Sequence, residues 1–204
     1  MLNKELIGLV SGVLVVVSAV PYAIRTHQGK VHPNITSWSL WTLIGLAVLL
    51  TYRSAGAQAN VWPAVFGFVN PLLVTVIAVR RRSEHTKLNK LDWLCLVFGL
   101  IALAMWLLTR QSKVLVQYAL YVALVADSFA YFPTLAFIWK SPEKDRPFAW
   151  GLFAFGYGLN FFAISDYTFA NMILPVYMCV SGLCVTAPLC AYRVRKRLPA
   201  MEWI

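Results

Sequence analysis

The sequence predicts an all-α integral membrane protein. Its seven transmembrane helices form two parallel three-helix bundles joined by a linker helix, a three-plus-one-plus-three plan. Three observations predict this. Of the 204 residues, 60% are hydrophobic and 13% charged, with a mean hydropathy of +0.67, whereas a soluble domain is about half apolar and about a quarter charged. Seven apolar runs approach the about 20 residues that a spanning helix requires. A pattern of prolines and tryptophans in the first third of the chain recurs 112 residues later.

The runs cover roughly residues 6–25, 36–53, 60–79, 91–109, 114–139, 147–164 and 168–192, joined by short loops. The first is read as a span and not a cleaved leader, because its apolar run is long and no small-residue cleavage motif follows it. Residues 1–82 then make the first bundle and 83–113 the linker helix with its flanking loops. Residues 114–197 make the second bundle, and 198–204 a cytoplasmic tail.

The loops alternate between two faces, and the basic residues choose one of them. Lys4, Arg53, Arg110 and Lys113 fall on the face with the N-terminus, while the other 14 of the 18 lysines and arginines fall opposite. The positive-inside rule therefore places the N-terminus outside and the C-terminus in the cytoplasm of a bacterial-type inner membrane or a plasma membrane. The net charge of +10 is a topology signal and calls for no nucleic acid. The run Arg80–Arg82 additionally offers charge to anionic lipid headgroups.

The repeat is carried by AVPYAIRTHQGKVHPNITSWSLW (Ala19–Trp41) and FPTLAFIWKSPEKDRPFAW (Phe132–Trp150). Pro21 precedes Trp38 by 17 positions, and Pro133 precedes Trp150 by 17. The same shift of 112 carries Pro63 onto Pro175 and Arg81 onto Arg193. Three spans per unit would invert the second unit; the fourth span cancels the inversion, so the units run parallel. Parallel repeats about an axis along the membrane normal are a transporter plan, with the solute held between repeats near the midplane. Prolines Pro21, Pro133, Pro63 and Pro175 are read as gates or hinges, because each removes a backbone hydrogen bond. Trp38, Trp41 and Trp150 start spans 2 and 6 at headgroup level.

These features resemble the SWEET and PQ-loop (MtN3-like) transporter superfamily, which shares the helix plan, the outside N-terminus and a proline in spans 1 and 5 followed by a short basic loop. The dipeptides here are Pro21-Tyr22 and Pro133-Thr134 where PQ-loop proteins carry Pro-Gln. Trp38-Ser39-Leu40-Trp41 is also similar, more distantly, to a W-x-x-W element of PnuC-type vitamin transporters. The resemblance implies carriage of a small solute, often a sugar, by alternating access between the bundles.

Polar groups within the spans are the candidates for that work, since burial in lipid is costly unless they serve a partner or a substrate. Asp127, near the middle of span 5, is the one acid deep in a span and has no basic residue at its depth. A carboxyl desolvated without a counter-charge holds its proton more tightly, which suits a proton-coupled carrier; the alternative is an acid bonded to a neighbouring helix. Asn70, directly before Pro71 in span 3, can offer amide donors and an acceptor to a solute or satisfy backbone freed by the proline. Tyr157 and Asn160 share a face of the Gly-rich span 6, and Trp41 can stack on a ring-shaped solute. Gly8-x-x-x-Gly12 is a helix-packing motif.

No catalytic constellation or cofactor motif accompanies them. The four cysteines, Cys95, Cys179, Cys184 and Cys190, lie in apolar segments without metal-ligand spacing. His27 and His32 lack a third ligand, so no metal is expected. The expected partner is a small-molecule solute of the sugar, nucleoside or amino acid class, within the lipid bilayer. Homo-oligomers are compatible with the plan. The competing reading is a non-transporting receptor or cargo-binding protein on the same helices, since fold does not fix function.

Overall fold

The computed structural model describes residues 3–31 and 33–203; His32, half of the histidine pair, lies outside them. The described chain is all helical. Seven α-helices follow in order: α1 (Lys4–His27), α2 (Ile35–Ser54), α3 (Trp62–Arg80), α4 (Lys90–Thr109), α5 (Lys113–Lys140), α6 (Pro147–Asn160) and α7 (Phe169–Lys196). Short 3₁₀ turns precede α3 (Ala59–Val61) and follow α5 (Pro142–Lys144), α6 (Phe161–Ala163) and α7 (Ala200–Trp203).

Polar residues in the loops start most of these helices. Asn3 and Asn34 accept hydrogen bonds from the first free N–H groups of α1 and α2, and Ser112 and Thr168 do the same for α5 and α7. Asn89 and Asp92 form a reciprocal capping box on α4. Each satisfies backbone donors that a helix end leaves unpaired.

Among the described residues six helices are long and apolar enough to cross a membrane, not the seven expected. The exception is α6, with 14 residues, about 21 Å at the α-helical rise against a hydrocarbon core of about 30 Å. The apolar run continues as predicted, but from Phe161 it tightens into a 3₁₀ turn. Pro63 also differs in place from its hinge role: it sits in the first turn of α3, where its missing N–H interrupts no α-helical hydrogen bond. Pro21, Pro133 and Pro175 lie inside α1, α5 and α7.

Helix α3 lies between α1 and α2, and α7 packs against both α5 and α6. Helix α1 also packs on α6 and α2 on α5, while α4 covers α5 and α2. The directions follow from side-chain contacts. Gly8 meets Ala59 at one end of α1 and Asn70 reaches Val15 midway, so α1 and α3 are parallel. Gly156 packs on Ser11 and Val15 while Lys4 reaches Ile164, so α6 opposes α1. Gly182 packs on Ala154, and Gly158 on Cys179, so α7 opposes α6. Ser128 meets Tyr177, and Tyr131 meets Ser181, so α5 runs with α7.

Close approach explains two glycines. A Cβ on Gly8 would fall 1.9 Å from the Ala59 carbonyl oxygen, and one on Gly156 would fall 3.0 Å from Val15 and 3.1 Å from the Ser11 carbonyl. The interior is filled by Val15, Ile44, Ala47, Leu120, Ala123 and Leu174. Leu9, Val13, Leu100, Leu108, Phe155 and Val180 point outward and stay exposed. An apolar exterior of this extent is the surface a lipid solvent requires.

Candidate functional site

Two polar clusters are built into the apolar interior. The first lies at the face that carries the N-terminus, where the 3₁₀ turns before α3 and after α6 bring their side chains together. Tyr52, fully buried at the end of α2, donates from its hydroxyl to the carbonyl of Asn171 at 2.8 Å. Pro175 lies four residues beyond Asn171, so its absent N–H leaves this carbonyl without a helical donor. The Tyr52 hydroxyl also accepts from the Asn60 amide. Asn160 on α6 donates to the Asn60 carbonyl at 2.9 Å, and Tyr157, one turn earlier, donates to the Pro63 carbonyl at 3.1 Å.

These bonds link helices 1–3 to helices 5–7. With Lys4 to Ile164 (2.8 Å), four side-chain hydrogen bonds join the two groups among the described residues, and all four lie toward the N-terminal face. Two acceptors are left over: the amide oxygens of Asn160 and Asn171 are buried with no donor among the described residues. A buried acceptor without a donor is costly, and a hydroxyl or amide brought in by a solute would relieve it.

The second cluster sits deeper, between α5 and α7. Asp127 is 5% exposed and accepts from the Tyr177 hydroxyl at 2.9 Å. The Ser128 hydroxyl lies 2.9 Å from the same phenolic oxygen, and one turn on, Tyr131 donates to the Ser181 carbonyl at 2.6 Å. Asp127 therefore has a neutral phenol as its hydrogen-bond partner.

The sequence candidates divide between these places. Tyr157 and Asn160 join the N-terminal-face cluster, and Asp127 heads the second. Asn70 is half-buried and donates to the Val15 carbonyl of α1 at 3.0 Å. This is neither the carbonyl freed by Pro71, which belongs to Gly67, nor a member of either cluster. Trp41 is half-buried on α2; the neighbouring Trp38 packs on Tyr22 beside Pro21, with ring centroids 5.1 Å apart. Tyr52, Asn60, Asn171 and Tyr177 were not singled out from the sequence. Three of them stand at span ends, where polar and aromatic residues read as boundaries, and Tyr177 reads as an ordinary aromatic of an apolar helix.

Among the described residues no three His, Cys, Asp or Glu side chains could hold an ion together. Cys95 donates to the Ala126 carbonyl at 3.2 Å, fixing α4 on α5 beside Asp127. Comparison with models of protein families, with curated proteins and with solved structures gives no match.

Proposed function

We propose that this protein is a membrane transporter. It moves a small polar solute by alternating access between α1–α3 and α5–α7, with α4 as the linker of a three-plus-one-plus-three plan. The observation that carries the reading is the repeated packing: α3 between α1 and α2, α7 against α5 and α6, and reciprocal α1–α6 and α2–α5 contacts. Two like groups running in the same direction provide the two halves that alternate around one site. The matched prolines and this helix order also favour the SWEET and PQ-loop resemblance.

The bonds gathered at one face support a mechanism. The four cross-links close the N-terminal face, which the basic-loop count assigns to the outside, so the conformation described is an outward-closed one. Opening that face requires Tyr52 to release the Asn171 carbonyl and Asn160 to release Asn60. The unpaired amide oxygens of Asn160 and Asn171 favour a solute that donates hydrogen bonds, of the sugar, nucleoside or amino acid class. Asp127 is the proton-coupling group in this reading, with Tyr177 adjusting its hydrogen bond as the proton comes and goes.

Purified protein in sealed proteoliposomes tests the proposal. Accumulation of one solute class from a panel of sugars, nucleosides and amino acids, recorded with an internal pH-sensitive dye, is the expected result. Saturable binding without flux would overturn transport and leave a receptor.

A further inference from the structure

We infer that the basic face carries a specific site for one anionic phospholipid, set between the ends of α1 and α3. The observations begin with two arginines matched by the 112-residue shift. Arg193, 1% exposed near the end of α7, is surrounded by backbone acceptors. Its guanidinium donates to Glu202, Pro142, Leu189 and Asp145 carbonyls. The 3₁₀ turn at 200–203 and the loop after α5 thus fill the space around it.

Arg81, its counterpart past α3, has among the described residues a single such partner, the carbonyl of His27 at the end of α1. A guanidinium carries five N–H donors, so most of those of Arg81 remain available. In place of a covering tail there is an open cavity of about 250 Å³, lined by His27, Ile77, Arg80 and Arg81. Arg80 adds a second cation, where the shift places uncharged Tyr192 in the other half. Neither Arg80 nor Arg81 forms an ion pair among the described residues. Two guanidinium forks at one cavity suit the oxygens of a phosphate, which they bind with charge-assisted hydrogen bonds.

The surface leading to the cavity selects a lipid. Val20 and Ile24 lie on α1 two turns and one turn before His27, on its face, and Leu73 and Val76 stand likewise before Arg80 on α3. All four are exposed. Together they form an apolar lane along the bilayer that ends at the arginines. An acyl chain fits the lane and its phosphate fits the cavity, whereas an inorganic anion uses only the cavity.

The test is native mass spectrometry of the full chain exchanged into an equimolar mixture of phosphatidylglycerol and phosphatidylcholine. Wild type is expected to retain one phosphatidylglycerol after delipidation. Exposed Arg80→Gln, with unchanged helicity, is expected to lower retention about tenfold, the effect of losing one charge-assisted hydrogen bond. Arg195→Gln, elsewhere on the basic face, is expected to leave it unchanged. Equal losses in both variants would reduce the site to a diffuse field of the basic loops and overturn the proposal. So would retention of phosphatidylcholine at the same level. Displacement of the lipid by millimolar inorganic phosphate would identify a soluble-anion site and overturn the lipid assignment.

Discussion

The hydroxyl of Tyr52 takes the place of the N–H that Pro175 lacks. It donates to the Asn171 carbonyl at 2.8 Å, so a side chain of α2 completes the backbone of α7. A second case occurs at the other end of α7, where Pro188 leaves the Cys184 carbonyl free and the Trp139 indole donates to it at 3.3 Å. A bend in a spanning helix requires that its freed backbone groups be satisfied again, and here neighbouring helices do so. Tyr52→Phe is expected to cost about 1–3 kcal/mol by leaving a buried acceptor unpaired. In a Pro175→Ala background the cost falls, because the substitution restores the backbone N–H. Detergent-denaturation titrations of the four proteins measure the coupling; additive losses would show that the hydroxyl and the proline act independently.

Asp127→Asn keeps the side-chain volume and removes the ionisable proton. Solute binding to the variant is expected to survive while proton movement during uptake disappears, and uptake then follows the solute gradient alone. Paired measurements of flux and internal pH in proteoliposomes check this. Proton movement equal to wild type in the variant would assign Asp127 to holding α5 on α7 through Tyr177.

Asn60→Cys with Asn160→Cys, in a chain whose four native cysteines are alanine, tests whether the N-terminal face must open. A short bifunctional thiol reagent is expected to join the two positions, since the native side chain of Asn160 reaches the Asn60 backbone at 2.9 Å. Joined protein is expected to lose flux and to regain it on cleavage of the reagent. Full flux in the joined protein would exclude movement of this face from the cycle.

Two glycine substitutions are expected to act in opposite directions. Gly8→Ala drives a methyl group to within 1.9 Å of the Ala59 carbonyl and forces α1 away from α3, at about 1–3 kcal/mol. Gly151→Ala meets its nearest neighbour, Thr186, at 3.6 Å, ordinary contact, and removes backbone freedom from the unfolded chain for a gain of about 0.4–1 kcal/mol. Thermal unfolding of both variants in detergent checks the signs.

Where the chain crosses between apolar and polar surroundings was readable from residues alone, since hydropathy reports solvent preference directly. The helix ends fall within a few residues of the apolar runs, and Asn34, Asn89 and Thr168 cap helices where the polar loops give way. What α6 does beyond Asn160 was not readable, because an apolar run does not distinguish an α-helical turn from a 3₁₀ turn. The candidate site was half legible. Asp127 stood out as an acid in an apolar span, and Asn160 as an amide in one. Tyr52 and Asn171 gain their meaning from each other, 119 residues apart, and no local pattern encodes that pairing.

The 112-residue shift that pairs Pro21 with Pro133 also pairs Val15 with Asp127. At that level the amide of Asn70 donates to the Val15 carbonyl, and the phenol of Tyr177 donates to the carboxyl of Asp127. A duplicated scaffold with identical walls would accept a guest in two equivalent orientations related by its own axis. In the transport reading Val15 and Asp127 stand on walls of different chemistry, a bonded carbonyl and a carboxyl, so that degeneracy is lifted. In the transport reading the guest has a defined head and tail, and keeps the same end toward α5 from entry to release.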